Sequence, residues 1–422
     1  MSELSNPVVS ASGPRFFYGW VIVALAALGV ACSFSVLVIS LTPIFGGPVG
    51  AELGWTNGQI LYGSSVAAIG SPISAPFIGA LTDRIGVRRM LVGSFLMEAL
   101  IIASFKFMDG NITAYIVRYL ALVVFCMGTT QVVFSRLVSS WFNRRLGLAL
   151  GITLAGVGIG GAFWSQAAQR LIEHFGWRNA YLCIGAFIAF ITVPLLALLI
   201  QESPAARGLA VDGDAGAGKV QAEAVAARSG MTLWEVVCTA RYWVLLGAFF
   251  LVGLSLQSIA FHLIPLLKSR GVPAHEAASV QSAMWIAVVI GRISSGWFID
   301  RAFAPRVAQT YLLAPIVGIA ALVMGVSGFS TFIAVMFVGF AVGGESDVIA
   351  FLVRRYFGLR YYSRIYGTFF AAYGTAAAFG PQATAWSVEH VAGGYTLILK
   401  VLIALVFGAI ALLFFLPRYE RV

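Results

Sequence analysis

Residues Gly79-Ala-Leu-Thr-Asp83-Arg84-Ile-Gly86-Val-Arg88-Arg89 and Gly296-Trp-Phe-Ile-Asp300-Arg301 echo each other: a glycine, three residues, then Asp-Arg, at the end of a long apolar run. Their glycines lie 217 residues apart (296 − 79), about half of the 422-residue chain. A second echo has nearly the same offset. Trp141-Phe142 followed by Arg145-Leu146-Gly147 matches Tyr356-Phe357 followed by Arg364-Ile365-Tyr366-Gly367, with the last glycines 220 residues apart (367 − 147). Two motif pairs at one offset mark a duplicated half. In a membrane chain, duplicated halves point to a transporter with its site between them.

Composition agrees with a lipid environment. Hydrophobic residues make up 60% of the chain and charged residues 10%, with a mean hydropathy of +0.91, far from the values of soluble domains. The net charge of +10 does not imply nucleic acid, because the basic residues sit in short loops between apolar runs, where they set orientation in a membrane. Cys32, Cys126, Cys183 and Cys238 have no metal or redox spacing and read as free thiols. The apolar run from Phe16 is too long for a signal-peptide core, so no cleavage is expected.

Runs long enough to cross ~30 Å of hydrocarbon begin near Phe16, Asn57, Met90, Ile112, Leu146 and Ala180, then near Arg241, Ala277, Ala308, Thr331, Ile365 and Tyr395. The expected architecture is all-α, with twelve transmembrane helices in two pseudo-symmetric halves. It divides into a cytoplasmic tail (1–15), a six-helix bundle (16–200), a cytoplasmic central loop (201–240), a second bundle (241–416) and a cytoplasmic tail (417–422). Most of the 27 Lys and Arg residues fall in segments that are cytoplasmic if the N-terminus is inside, Arg84, Arg88, Arg89, Arg144, Arg145, Arg354, Arg355, Arg360 and Arg364 among them. Within the loop, Thr232-Leu-Trp234-Glu-Val-Val reads as a short surface helix. Glycines in span 5 (Gly151, Gly156, Gly158, Gly160, Gly161) and span 11 (Gly374, Gly380) permit close helix approach in lipid.

Two motifs mislead. Gly156-Val-Gly158-Ile-Gly160-Gly161 fits a dinucleotide pattern but lies inside a span, with no preceding strand. Gly213-Asp-Ala-Gly-Ala-Gly218-Lys219-Val220 nearly spells a phosphate loop, yet Val220 stands where a magnesium-binding hydroxyl is needed. ATP binding is rejected, and no cofactor, metal set or nucleophile–base pair is expected. The chain does not read as an enzyme.

Ionisable residues within spans default to function, because charge is costly there. Arg292 of span 8 offers a rigid fork that matches a carboxylate, either on an anionic substrate or on an acidic neighbour in a permanent salt bridge. Glu345 and Asp347 in span 10 follow Gly343-Gly344. Two carboxylates this close cannot both ionise cheaply, which suits a proton carrier; structural pairing with Arg354 and Arg355 is the alternative. His262 in span 7 suits proton coupling, substrate contact or a structural role. Arg118 of span 4 and Glu98 of span 3 are a second substrate cation and a proton site, or a mutual pair. Tyr62, Tyr119, Trp164, Trp285 and Tyr373 are candidate cavity-lining aromatics, each otherwise an ordinary packing residue.

Taken together, these stretches resemble the major facilitator superfamily. Gly79 to Arg89 is similar to its signature between spans 2 and 3, with Val87 at a commonly basic position, and Gly296 to Arg301 is similar to the partial copy between spans 8 and 9. Phe17-Tyr18-Gly19-Trp20 and Trp141-Phe142-Asn-Arg144-Arg145-Leu-Gly147-Leu-Ala149-Leu-Gly151 resemble the monocarboxylate and oxalate–formate branch, and Gly176-Trp177-Arg178-Asn-Ala-Tyr181 resembles a stretch common in bacterial relatives. The resemblance implies that Arg292 contacts substrate carboxylate. Departures limit it: Val288 replaces an aspartate of the animal carriers, span 1 lacks their lysine, and no lysine lies between Ile365 and Val388, where the oxalate carriers have one. Span 5 also lacks the Gly-Pro pair of drug antiporters, although Gly380-Pro381 occurs in span 11.

The sequence thus predicts a monomeric, alternating-access carrier of the bacterial inner membrane, moving a small organic anion, a monocarboxylate, in symport with a proton. Arg292, His262, Arg118, Tyr119, Trp285 and Tyr373 are its candidate substrate contacts. Glu345, Asp347 and His262 are its candidate proton carriers, and Asp83, Arg84, Arg88, Asp300 and Arg301 its gating residues. An exchanger or exporter of another metabolite, and a non-transporting receptor or assembly factor, are the competing readings.

Overall fold

The computed structural model describes residues 17–213, 230–391 and 393–419. The expected tail 1–15, most of the near-phosphate loop and the last three residues lie outside the described residues. Ten helical stretches are long and apolar enough to cross a membrane. One of them, Leu146–Leu199, has 54 residues and would extend about 80 Å if straight. It is two passages joined at Gly176, whose φ of 74° breaks the helix in a single residue and favours glycine. A further 29-residue helix, Tyr362–His390, is more polar than the others but as long as its neighbours. Twelve passages are therefore present among the described residues.

In chain order, spans 1 to 4 are Gly19–Leu53, Asn57–Ile85, Val87–Ser104 and Ile112–Trp141. Spans 5 and 6 occupy 146–175 and 177–199. Spans 7 to 12 are Ala240–Ser269, Ala274–Ile299, Ala304–Val323, Phe329–Phe357, Tyr362–His390 and Gly394–Phe414. Each begins within about four residues of the start read from hydropathy. Polar residues set several starts. Thr56 and Gln59 form a capping box at span 2, and the Asn111 side chain accepts from Thr113 and Ala114 at span 4. In the central segment, Thr232 and Glu235 cap the short helix Leu233–Val237 in the same way.

Three spans of the first six are irregular at one level. Span 1 breaks at Cys32-Ser33, where Ser33 is extended. Span 4 passes through a 3₁₀ turn, Met127–Thr129, and span 6 through a π turn, Ile188–Thr192. Aromatic packing fixes the chain entry: Phe17 lies 5.9 Å from Trp141 and 5.4 Å from Phe142, centroid to centroid, and Trp20 lies 5.0 Å from Phe142.

The first six and last six spans meet along two glycine-lined seams. Span 2 packs on span 11, where a Cβ on Gly79 would sit 2.1 Å from the Ser363 carbonyl and one on Gly367 2.6 Å from that of Ala75. Span 5 packs on span 8, where Gly147 and Gly296 each face the other's carbonyl at 2.3 Å from the would-be Cβ, and Gly151 faces that of Arg292. Absent side chains let backbones touch, which replaces the hydrophobic drive missing in lipid.

Candidate functional site

Both seams end at the Asp-Arg stretches. The Asp83 carboxylate accepts from the backbone N–H of Ser363 (3.3 Å) and Arg364 (2.9 Å), at the start of span 11. The Asp300 carboxylate accepts from those of Gly147 (2.6 Å) and Leu148 (2.9 Å), at the start of span 5. Each aspartate thus satisfies orphan donors of a helix in the opposite set and sits at the positive end of its dipole. Burial pushes the Asp300 carboxyl up to about 6, against the pull of those two amides and of Arg355 and Arg301. Arg136 of span 4 lies 3.5 Å from Asp83. Arg355 of span 10 crosses to the Asn143 side chain (2.8 Å) and carbonyl (2.7 Å).

Arg84 is exposed beside this end. Arg88 binds within the first set, its backbone N–H donating to Glu202 (3.0 Å) and its guanidinium to the Ala197 carbonyl. Arg301 lies over the Trp297 ring at 3.8 Å and donates to the Trp297 carbonyl.

Further along the seam between spans 5 and 8, Arg292 donates to the Leu154 carbonyl at 3.2 Å. The same nitrogen lies 3.9 Å from the carboxylate of Asp347 of span 10, which is fully buried. Arg292 is itself only 9% exposed. Span 10 approaches so closely because Gly343 packs on the Val288 carbonyl, with 2.1 Å to the would-be Cβ. Glu345, one residue pair before Asp347, accepts from the Tyr373 hydroxyl of span 11, which in turn accepts from Gln257 of span 7. Spans 5, 7, 8, 10 and 11 therefore contribute to one polar cluster inside an apolar protein. Trp285 is on the Arg292 stripe of span 8, about two turns further from Asp300, and is 54% exposed.

The other candidates stand apart from this cluster. His262 donates to the Pro381 carbonyl (2.9 Å) and lies 3.4 Å from the Tyr395 hydroxyl, bridging spans 7, 11 and 12. Tyr119 is buried inside the first set, its hydroxyl 3.3 Å from that of Thr42. Trp164 is also buried and donates to the Ala31 carbonyl, tying span 5 to span 1. Arg118 reaches the Phe107 carbonyl at 3.4 Å. Both carboxyl oxygens of Glu98 lack a hydrogen-bond partner, so the expected pair with Arg118 is not made. Glu98 lies in the interior of the first set, whereas Arg118 points to the connection before span 4.

Residues 19–381 match the model of the Major Facilitator Superfamily. The chain belongs to the Major Facilitator Superfamily. Monocarboxylate transporter 12 of Rattus norvegicus is 26% identical over 320 residues, 70% of this chain and 63% of its own length, so the match leaves over a third of that relative uncovered. The uncharacterized MFS-type transporter YhjX of Escherichia coli (strain K12) is 24% identical, across 78% of this chain and 79% of its own. Among solved structures, the proton:xylose symporter XylE bound to 6-bromo-6-deoxy-D-glucose superposes with a TM-score of 0.73 at 13% identity, covering 95% of this chain and 96% of XylE. The human organic anion transporter MFSD10 (TETRAN) gives 0.68 at 15% identity, covering 95% and 100%. This superfamily member is a multi-pass membrane protein, and the relatives it matches are named as transporters.

In this superfamily member, several functional neighbours escaped sequence reading. Gln257, Arg136 and the Leu154 carbonyl all contact candidate residues. Arg136 carried a usable signal, a charge inside an apolar run. A backbone carbonyl carries none.

Proposed function

We propose that this transporter moves a small organic anion, a monocarboxylate, across the bacterial inner membrane by alternating access with a proton. One observation carries the reading: Arg292 lies buried between the two sets of six spans, with one guanidinium nitrogen on the Leu154 carbonyl and the Asp347 carboxylate at 3.9 Å. A fork-shaped cation at that place matches a substrate carboxylate. The names of relatives point the same way, a monocarboxylate carrier in the rat and an organic anion transporter in human.

In this reading the two bundles, 16–200 and 241–416, rock about the glycine seams, and the loop 201–240 joins them on the cytoplasmic side. Asp83 and Asp300 then latch the cytoplasmic face shut, and the structure corresponds to the outward-facing form of a monomer. Arg84, Arg88 and Arg301 flank the latches. Asp347 holds Arg292 while the site is empty, and Glu345 under Tyr373 carries the coupled proton. His262, on the Pro381 carbonyl, is a second carrier candidate and a contact to substrate with Tyr373 and Trp285. Arg118 and Tyr119 have a weaker claim as substrate contacts, being directed elsewhere.

Uptake into proteoliposomes under an imposed pH gradient tests the proposal. Arg292→Lys should lose carboxylate uptake, since a point charge does not replace a fork. Glu345→Gln should lose pH-driven accumulation while keeping counterflow exchange. A parental rate in Arg292→Lys would remove the anion clamp, and undiminished accumulation in Glu345→Gln would remove that residue from coupling.

A further inference from the structure

Glu98 of span 3 is 0% exposed and lies in the first six spans, away from the Arg292 cluster. The polar group that faces it is the hydroxyl of Thr129, in the 3₁₀ break of span 4. That hydroxyl is already engaged twice. It donates to the Cys126 carbonyl at 2.8 Å and accepts from the backbone N–H of Phe34 at 3.1 Å, just past the break in span 1. A hydroxyl has one proton and two lone pairs. Thr129 therefore has one lone pair left to offer and no proton.

A carboxylate ion can only accept; a carboxylic acid can donate. Neither Glu98 oxygen is hydrogen-bonded in the structure, and with its proton spent on Cys126 the Thr129 hydroxyl can only accept, so the acid form could bond here and the ion could not. The titratable groups around it do not alter this balance. They are the thiols of Cys32 in span 1 and Cys126 in span 4, and neither supplies a positive charge. From spans 6 and 5, the Thr192 hydroxyl and the Trp164 indole face Cys32. An ion at this place would be buried without a counter-charge, the costly case.

We propose that Glu98 is a proton-binding site of the first six spans, whose bound proton closes the contact between the breaks in spans 1 and 4 through Thr129. The site is distinct from Glu345 and His262 and does not depend on the anion reading. With the proton bound, Thr129 serves three partners: Glu98, Cys126 and Phe34. On its release, Thr129 must turn from the Cys126 carbonyl to face the anion, or water must enter. Either event loosens two broken helices next to the π turn of span 6, where Thr192 also has an unpaired hydroxyl.

Infrared difference spectroscopy of the purified full chain at neutral pH tests this. Subtracting Glu98→Gln from the parent should reveal a protonated-carboxyl carbonyl band that disappears reversibly on alkaline titration. Gln keeps the volume and can still donate to Thr129. Thr129→Val should keep the acid band but move it to the frequency of a carbonyl whose O–H lacks an acceptor, and Thr129→Ser should restore the parental position. A difference spectrum containing only carboxylate bands would overturn the proposal. An unmoved band in Thr129→Val would overturn the link between the breaks, and this variant decides the matter even if Glu98→Gln does not fold.

Discussion

The Asp300 carboxylate lies 2.6 Å from the backbone nitrogen of Gly147, 153 residues earlier in the chain. Its counterpart Asp83 lies 2.9 Å from the nitrogen of Arg364. The four partners lie in the two pairs of internal sequence repeats, and they dock crosswise. Each Asp-Arg stretch caps the helix that begins with the other half's Arg-containing echo.

The Asp300 cap should respond to pH. Its carboxyl titrates at about 6 when buried in the closed seam and near 4 once exposed to water by opening. The closed form thus binds the proton more tightly, so closure is favoured as pH falls and this contribution is lost as pH rises through about 6. Hydrogen exchange at the Gly147 and Leu148 amides, corrected for intrinsic rates, should show protection increasing from about pH 7 to about pH 4.5. Asp300→Asn should flatten that trend; an equal trend in the variant would assign it to another group.

Seam glycines should be intolerant where backbone faces them. Gly79→Ala places a methyl 2.1 Å from the Ser363 carbonyl, whereas a Cβ at Gly93 meets nothing within 4 Å. Overpacking of about 1–3 kcal/mol in the closed form should slow cycling by about tenfold or more. Gly93→Ala is the control and should transport like the parent at equal membrane abundance. Matching rates for the two variants would mean that the seam yields.

Asp347→Asn leaves Arg292 buried without its carboxylate, a loss on the order of 3–5 kcal/mol when one partner of a buried pair is removed. The melting temperature should fall. An added monocarboxylate that binds Arg292 should then raise it by more in the variant than in the parent, because it fills the vacated role. Equal ligand-induced shifts would show that substrate and Asp347 do not share the guanidinium.

Arg178 joins three connections at the end far from Asp300. It forks onto Glu52 (2.9 Å) and donates to the carbonyls of Lys106 and Met108 (2.8 Å each). The neighbouring Trp177 indole donates to the same Glu52. Arg178→Lys cannot reproduce this geometry and should lower thermal stability while leaving the pH dependence of exchange at Gly147 unchanged. A loss confined to that pH dependence would contradict a local structural role.

Span number, span starts and the paired seam ends were legible in the sequence because lipid imposes length and hydropathy on every helix. The span 11 helix was read from the apolar run that begins near Ile365, although its hydropathy falls short of its neighbours'. Arg292 was legible as a lone cation, and its proximity to Asp347 is what helix spacing cannot provide: residues 55 positions apart meet only because Gly343 lets span 10 rest on span 8. Of the two readings of Glu98 and Arg118, the mutual pair fails for a related reason. Charge alone suggested partners, but direction around each helix sends one inward and the other toward a loop.

The crossed caps also constrain how the two sets can travel. Sliding one set along the other by a single helical turn, about 5.4 Å, would strip four amides of their carboxylates and drive side chains into the places left open by Gly79, Gly147 and Gly296. Tilting that parts the seams at the Asp83 and Asp300 end releases those contacts without driving side chains into the opposing backbone. The repeats therefore act as a pair of dowels that oppose translation while closed and leave rotation as the motion of lower resistance.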